Sequence, residues 1–336
     1  MSQVQTHFLS SPMLKWIISK VFRSIFLLIG SSFMIYSVVR LAPGSVVDMA
    51  LGSDATDEMR LQLAKELGLD SGIIQGYFYW FLEAIQGNLG KSIKFMPGYE
   101  VADIALPAFL VTLSLASLAL LFSIFIAVVL SFLLGKPRNT EGLFLGPLSL
   151  LNAVPSFVLS ICFAKVVNYL IFIQLAQGDR MPPNWYPIPT YQPFGEAYMP
   201  FLFAALMIAL GDGLFTDLLN TIRAEILELM SSQFMNAVRA KGAEIRPHLI
   251  KNLIIPILSI FSARLPLVLS AVVIVEYIFT LDGSGYLLLE AAKNRDVPIV
   301  VGVSVFFTFA VILLNLILDL VKALIDPRQS AQGEGS

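Results

Sequence analysis

The chain has 336 residues, 57% of them hydrophobic and 14% charged, with a formal net charge of −2. Soluble domains carry about 25% charged residues, so a water-soluble core is excluded and a polytopic membrane protein is the class that remains. A single cysteine, Cys162, excludes an internal disulfide framework and reads as a buried apolar filler. His7 and His248 lie far apart without ligand-spaced partners, so no metal site is expected.

Crossing the hydrocarbon takes roughly 20 apolar residues in a helix. Six runs meet that length, at 16–39, 104–134, 143–175, 199–222, 253–280 and 299–325. The first follows Lys15, Lys20 and Arg23 but no small-x-small cleavage site, so it is expected to stay as a span rather than leave as a signal peptide. Pro155 and Pro266 are expected kink points. Lys and Arg gather in residues 1–15 with the start of the first span, in the 135–142 loop and in 223–252. The positive-inside rule therefore puts both termini and those loops in the cytoplasm.

Residues 40–103, 176–198 and 281–298 then lie outside, and 326–336 form a cytoplasmic tail. Within 40–103, "TDEMRLQLAKELG" predicts a short helix capped by Thr56 or Asp54 and ended by Gly68. "GIIQGYFYWFLEAIQG" predicts a second, whose aromatics either cover the outer membrane interface or pack back on the spans. The external loop 176–198 has too many prolines for regular structure.

Two strings suggest chemistry and fail on spacing. "QGNLGKS" leaves only Asn88 and Leu89 between Gly87 and Gly90, too few for a nucleotide phosphate loop. "LDGSGY" has no general base near its serine, and Gly283 and Gly285 read as a tight turn. Neither supports a catalytic residue. Charges inside spans cost several kcal/mol unless paired or wetted, which makes Lys165, Asp212, Asp217, Arg264 and Glu276 candidate path-lining residues. Interhelical pairing, for instance Lys165 with Asp212, is the competing reading. An ion-coupled secondary transporter using Asp212, Asp217 and Glu276 is the alternative function.

The loop 223–252 is too patterned for a connector. In "AEILELMSSQFMNAVRAKG", Ile226, Leu229, Met230, Phe234 and Ala237 recur at helical spacing. Gly242 can stop that helix and Pro247 permits another to begin. A small helical projection with an apolar seam and basic flanks suits a groove on a cytoplasmic partner.

"RAKGAEIRPHLIKNLIIP" resembles the cytoplasmic loop motif of ABC-importer permeases, in the dipeptide/oligopeptide/nickel family and its first-permease branch. The resemblance extends over nearly the whole chain through "RLAPGS", "LAKELGLD", "GNLGKSI", "LPAFLVTLSLAS", "VPSF", "VVIVEYIFTLDGSGYLLLEAAKNRDVPIVVG" and "LILDLVKALIDPR". It implies an all-α, six-span type I importer fold in a bacterial inner membrane, with no chemistry of its own. It implies as partners a second permease, two cytoplasmic ATPases that bind the ATP and Mg, a periplasmic substrate-binding protein and membrane lipid, with no nucleic acid. Peptides or a related small solute are the implied substrates. Phe234, Asn236, Ala237, Arg239, Ala240, Lys241, Gly242, Ala243 and Glu244 are the implied ATPase-coupling residues. The stretch from Gly242 to Pro256 is about one helical turn shorter than is usual in the family, and Asn236 stands where Arg is common. Asp212 and Asp217 are unusual there and are expected to favour a cationic substrate.

Overall fold

The computed structural model describes residues 11–41, 56–66, 72–134, 150, 153–176 and 198–325. Every regular element among them is an α-helix, in chain order α1 (Ser11–Leu41), α2 (Asp57–Glu66), α3 (Ile73–Ile85), α4 (Val101–Leu134), α5 (Ser156–Ala176), α6 (Tyr198–Leu210), α7 (Leu214–Ser231), α8 (Gln233–Ala240), α9 (Ile245–Phe279), α10 (Ser284–Lys293) and α11 (Val297–Ile325). Helices are what an apolar environment permits, because each satisfies its own backbone hydrogen bonds. Five of them are long and apolar enough to span a membrane. The pair Met199–Leu210 and Leu214–Ser231, bent by 55°, makes a sixth if counted together. The chain divides into two compact units, one of Met1–Ile17, Leu113–Leu281 and Ile317–Ser336, the other of Ile18–Thr112 and Asp282–Leu316.

In the first unit α5, α6, α7 and α9 pack on one another, with α8 against α7 and α9. The interior is built from small and branched side chains: Ala204, Ala205, Ile208 and Ala209 on α6, Leu214, Phe215, Leu218 and Leu219 on α7, Leu269, Val272 and Val275 on α9. Alanines let backbones approach where water supplies no hydrophobic drive. One close approach is at Gly211, where an added Cβ would lie 2.5 Å from the Cα of Ser156.

The expected continuous span 199–222 is broken there. Gly211, Asp212 and Gly213 end α6 and restart the chain in α7, with Asp212 at φ 53° and Gly213 at φ 75°. The Asp212 N–H donates to the Val154 carbonyl (3.2 Å), so the "VPSF" turn supplies an acceptor at the break. The cue was local: a Gly-Asp-Gly run is a helix breaker even inside an apolar stretch. Pro155 also differs from expectation. It precedes the first turn of α5 rather than kinking a span, whereas Pro266 does lie inside α9. Cys162 is exposed on α5, not buried.

In the second unit Leu89, Val101, Ala105, Ile299 and Val303 form one core, and Tyr36, Tyr77, Val301 and Val305 a second. Thr56 is the cap of α2, its hydroxyl accepting from the Met59 N–H (3.3 Å); Asp54 and Gly68 lie outside the described residues. Residues 281–298, read from sequence as a loop, hold α10. The first N–H of α10, from Ser284, donates to the Thr112 hydroxyl of α4 (2.8 Å), satisfying a group that helix ends leave open.

The turn after α10 carries the densest polar contact in this unit. Asp296 is fully buried, and one of its oxygens accepts from the Ser92 hydroxyl (2.6 Å) and from the N–H groups of Ile93 (3.0 Å), Lys94 (2.8 Å) and Phe95 (2.9 Å). Successive N–H groups converging this way form an anion-binding nest. The string that failed as a nucleotide loop thus leads into a nest for a carboxylate of its own chain.

Candidate functional site

The segment between the fourth and fifth apolar runs is three helical pieces. α7 continues to Ser231, and Ser232 leaves the helix with extended backbone (ψ 151°). Its hydroxyl accepts from the Met235 N–H (3.2 Å), the pattern of a serine N-cap. α8 therefore starts in a new register. The seam read from sequence as one stripe is cut at this point. Phe234 and Ala237 are exposed, while Met235 (0% exposed) and Val238 (7%) are the residues α8 buries. Met235 and Val238 were missed, although the Ser-Ser pair before "QFMNAV" is an N-cap signal.

α8 closes with a left-handed residue. The Gly242 N–H donates to the Arg239 carbonyl (3.0 Å) and the Ala243 N–H to the Val238 carbonyl (3.2 Å). Gly242 itself sits at φ +65°, the usual place for glycine after a helix C-terminus. Ala243 and Glu244 are exposed, and Glu244 is the extended residue from which α9 begins. Pro247 falls in the first turn of α9, where its missing N–H costs nothing.

The outer surface of α8 is mixed in chemistry. Phe234 meets the His248 ring edge-on at 5.6 Å. The Arg239 guanidinium lies over the helix, donating to the Asn236 side-chain Oδ1 (3.4 Å) and to the Met230 sulfur (3.6 Å). Asn236, Ala237, Arg239, Ala240 and Lys241 are all exposed. The result is an apolar and basic knob fixed from behind by Met235 and Val238.

Of the five intramembrane charges, the structure brings two together. Asp217 on α7 and Arg264 on α9 form an ion pair, each side chain about one-third exposed (32% and 33%). Lys165 and Asp212 do not pair as the competing reading supposed: each is exposed, Lys165 on α5 and Asp212 in the break. Glu276 is fully buried in the last turn of α9. Among the described residues no cluster of His, Cys, Asp and Glu could hold a metal ion.

Residues 119–331 match a family described as the binding-protein-dependent transport system inner membrane component. A probable peptide ABC transporter permease protein of Sinorhizobium fredii is 27% identical over 300 residues, covering 88% of this chain and 92% of its own. A putative peptide transport system permease protein of Brucella suis is 26% identical, covering 93% and 98%. The nickel import system permease protein NikB of Staphylococcus aureus is 26% identical, covering 95% and 93%. With its apolar helices and this match, the chain belongs to the binding-protein-dependent inner membrane components, the permeases of ABC importers, and is a multi-pass inner-membrane protein.

Proposed function

We propose that this chain forms half of the translocation path of an ATP-driven importer for peptides or a related small solute. A second permease completes the path, a periplasmic binding protein delivers the solute, and two cytoplasmic ATPases bind the ATP and Mg. Both termini and α8 face the cytoplasm, as the basic residues indicate. The observation that carries the reading is α8, a capped knob packed against the two helices it connects. Its exposed Phe234, Arg239 and Lys241 offer a groove both apolar area and charge. Peptide is the substrate class favoured because it stands in the names of two of the relatives above.

The mechanism follows from how α7 and α9 are tied. Met235 and Val238 hold α8 at one end, and the Asp217–Arg264 pair joins α7 to α9 about 21 Å back from the end of α7 and about 28 Å on from the start of α9, at 1.5 Å per residue. A displacement of α8 therefore moves both helices together instead of bending one. Closure of the ATP-bound partners turns the path outward, and release after hydrolysis returns it inward. The bias comes from the difference in ATPase contacts between the two states.

The test is cross-linking in the assembled complex. In a Cys162→Ser background, Arg239→Cys or Lys241→Cys should cross-link to a cysteine in the ATPase groove, with a yield that changes on adding ATP. Absence of any cross-link to the ATPase removes α8 from the role. The ion-coupled carrier predicts uptake by this chain alone under an ion gradient. The Asp217–Arg264 pair weighs against it, because Asp217 already has a counter-charge.

A further inference from the structure

We propose that α3 lies in the membrane interface, with the stripe Ile74, Phe78, Leu82 and Ile85 in contact with lipid acyl chains and Glu83 on the headgroup side. α1 is a candidate span, and Arg23 and Arg40 bound the uncharged part of it, about 26 Å apart along the helix. Tyr77 of α3 is buried, and its hydroxyl is 2.8 Å from the Ser32 hydroxyl and 3.2 Å from the Ile29 carbonyl. Ile29 and Ser32 stand about 17 and 12 Å along α1 from Arg40. A phenol is about 6.5 Å long from Cα to oxygen at 1.4–1.5 Å per bond, so the α3 backbone at Tyr77 also lies below the Arg40 level.

Ser32, Tyr77 and the Ile29 carbonyl are closed on one another. The Ser32 and Tyr77 hydroxyls lie 2.8 Å apart and both are within reach of the Ile29 carbonyl (3.1 and 3.2 Å), so one donates to the other and the second to Ile29. Rings continue the contact, with Tyr36 at 5.8 Å from Tyr77 and 5.9 Å from Trp80.

The remaining surface of α3 sorts into two strips. Ile74, Phe78, Leu82 and Ile85 recur at helical spacing and are between 57% and 68% exposed. Gln75, Tyr79 and Glu83 follow one place later and form a polar strip beside them. The apolar stripe joins the exposed face of α1 through an open groove of about 960 Å³, lined by Phe33, Leu41, Ile74, Phe78 and Leu82 with Ser37, Gln75 and Tyr79 also on its wall. That face belongs to a span, so its solvent is hydrocarbon, and the stripe continuous with it shares that solvent. A helix with one apolar strip and one polar strip at such a depth sits at the boundary of headgroups and acyl chains. The occupant of the groove is an acyl chain of the leaflet on the Arg40 side.

The test uses spin labels on the full-length chain in its co-expressed complex, reconstituted in lipid nanodiscs with Cys162→Ser. Labels at Phe78→Cys and Leu82→Cys should collide more with oxygen than with a water-soluble nickel chelate, and a label at Glu83→Cys should reverse that ratio. Ile74→Cys gives an independent reporter should either variant fail to insert. High chelate access at 74, 78 and 82 would place α3 in water and overturn the proposal. Low access to both reagents there would mean a protein neighbour, such as the second permease, covers the stripe, and would overturn it equally.

Discussion

Asp296 and Ser92 stand 204 positions apart and share a hydrogen bond of 2.6 Å in a fully buried site. The same carboxylate oxygen draws in three backbone N–H groups, so the segment before α4 is clasped to the turn between α10 and α11. Charge-assisted bonds of this kind are about twice as strong as neutral ones, and the Ser92 hydroxyl among the donors is buried. Asp296→Ala should lower stability by about 2–3 kcal/mol, since it removes the acceptor of the buried Ser92 hydroxyl and of three partly buried N–H groups. Ser92→Ala should cost about 1 kcal/mol. Thermal unfolding in detergent, with proteolysis inside 91–100 as a local readout, separates the two. Equal melting of wild type and Asp296→Ala would remove the clasp from the account.

Gly211 packs closely against the start of α5. An added Cβ would meet the Ser156 Cα at 2.5 Å and its N at 2.7 Å, both main-chain atoms that cannot rotate away. Gly211→Ala should therefore destabilise the fold by about 1–3 kcal/mol, the usual range for overpacking. Ser156→Gly should not rescue it, because the clash is with backbone. Folded yield on size exclusion reads both.

Gly242 makes the opposite case. No atom lies within 4 Å of an added Cβ, so bulk alone is harmless, but φ +65° disfavours branched side chains by about 1–2 kcal/mol. Gly242→Val should lose uptake while still inserting in the membrane, and Gly242→Asn should keep much of it. Equal uptake by both variants would mean that the left-handed stop of α8 does not matter for transport.

Asp217 and Arg264 should show coupling in a double-mutant cycle. Each single neutralisation, Asp217→Asn or Arg264→Met, should cost about 1 kcal/mol, a modest figure because both groups are about one-third exposed. The double variant should cost less than the sum. Since Arg264 already balances Asp217, Asp217→Asn should leave the preference between cationic and neutral solutes unchanged. A shift toward neutral solutes would restore the acidic-path expectation.

Burial raises the Asp282 carboxyl above its ordinary value. The folded state therefore holds that proton more tightly than the unfolded state. Stability from this group falls as pH rises from the unfolded pKa to the folded one, then stays level. Asp282→Asn should melt higher than wild type at pH 7, and the gain should vanish once the pH drops below the unfolded pKa of about 3.9. A gain that persists at pH 3 would assign the effect to packing.

Composition alone determined that this chain crosses a membrane by helices. Apolar length is additive along the sequence, and hydrocarbon leaves a helix few alternatives. Local chemistry also carried the Thr56 cap and the left-handed stop at Gly242, because each depends on a few neighbouring residues. Gly211–Gly213 and Ser232 were written just as locally, but the surrounding apolar periodicity hid them, and with them the register that buries Met235 and Val238.

The tertiary structure decided which charges meet and what an apolar helix faces. Asp217 pairs with Arg264 rather than waiting for a solute, Asp296 fills a nest 201 to 204 positions away, and Tyr77 finds Ile29 and Ser32. Such partnerships are set by three-dimensional distance. Sequence spacing constrains that distance within one helix turn and hardly at all across a loop, so no reading of residue types in order could have supplied them.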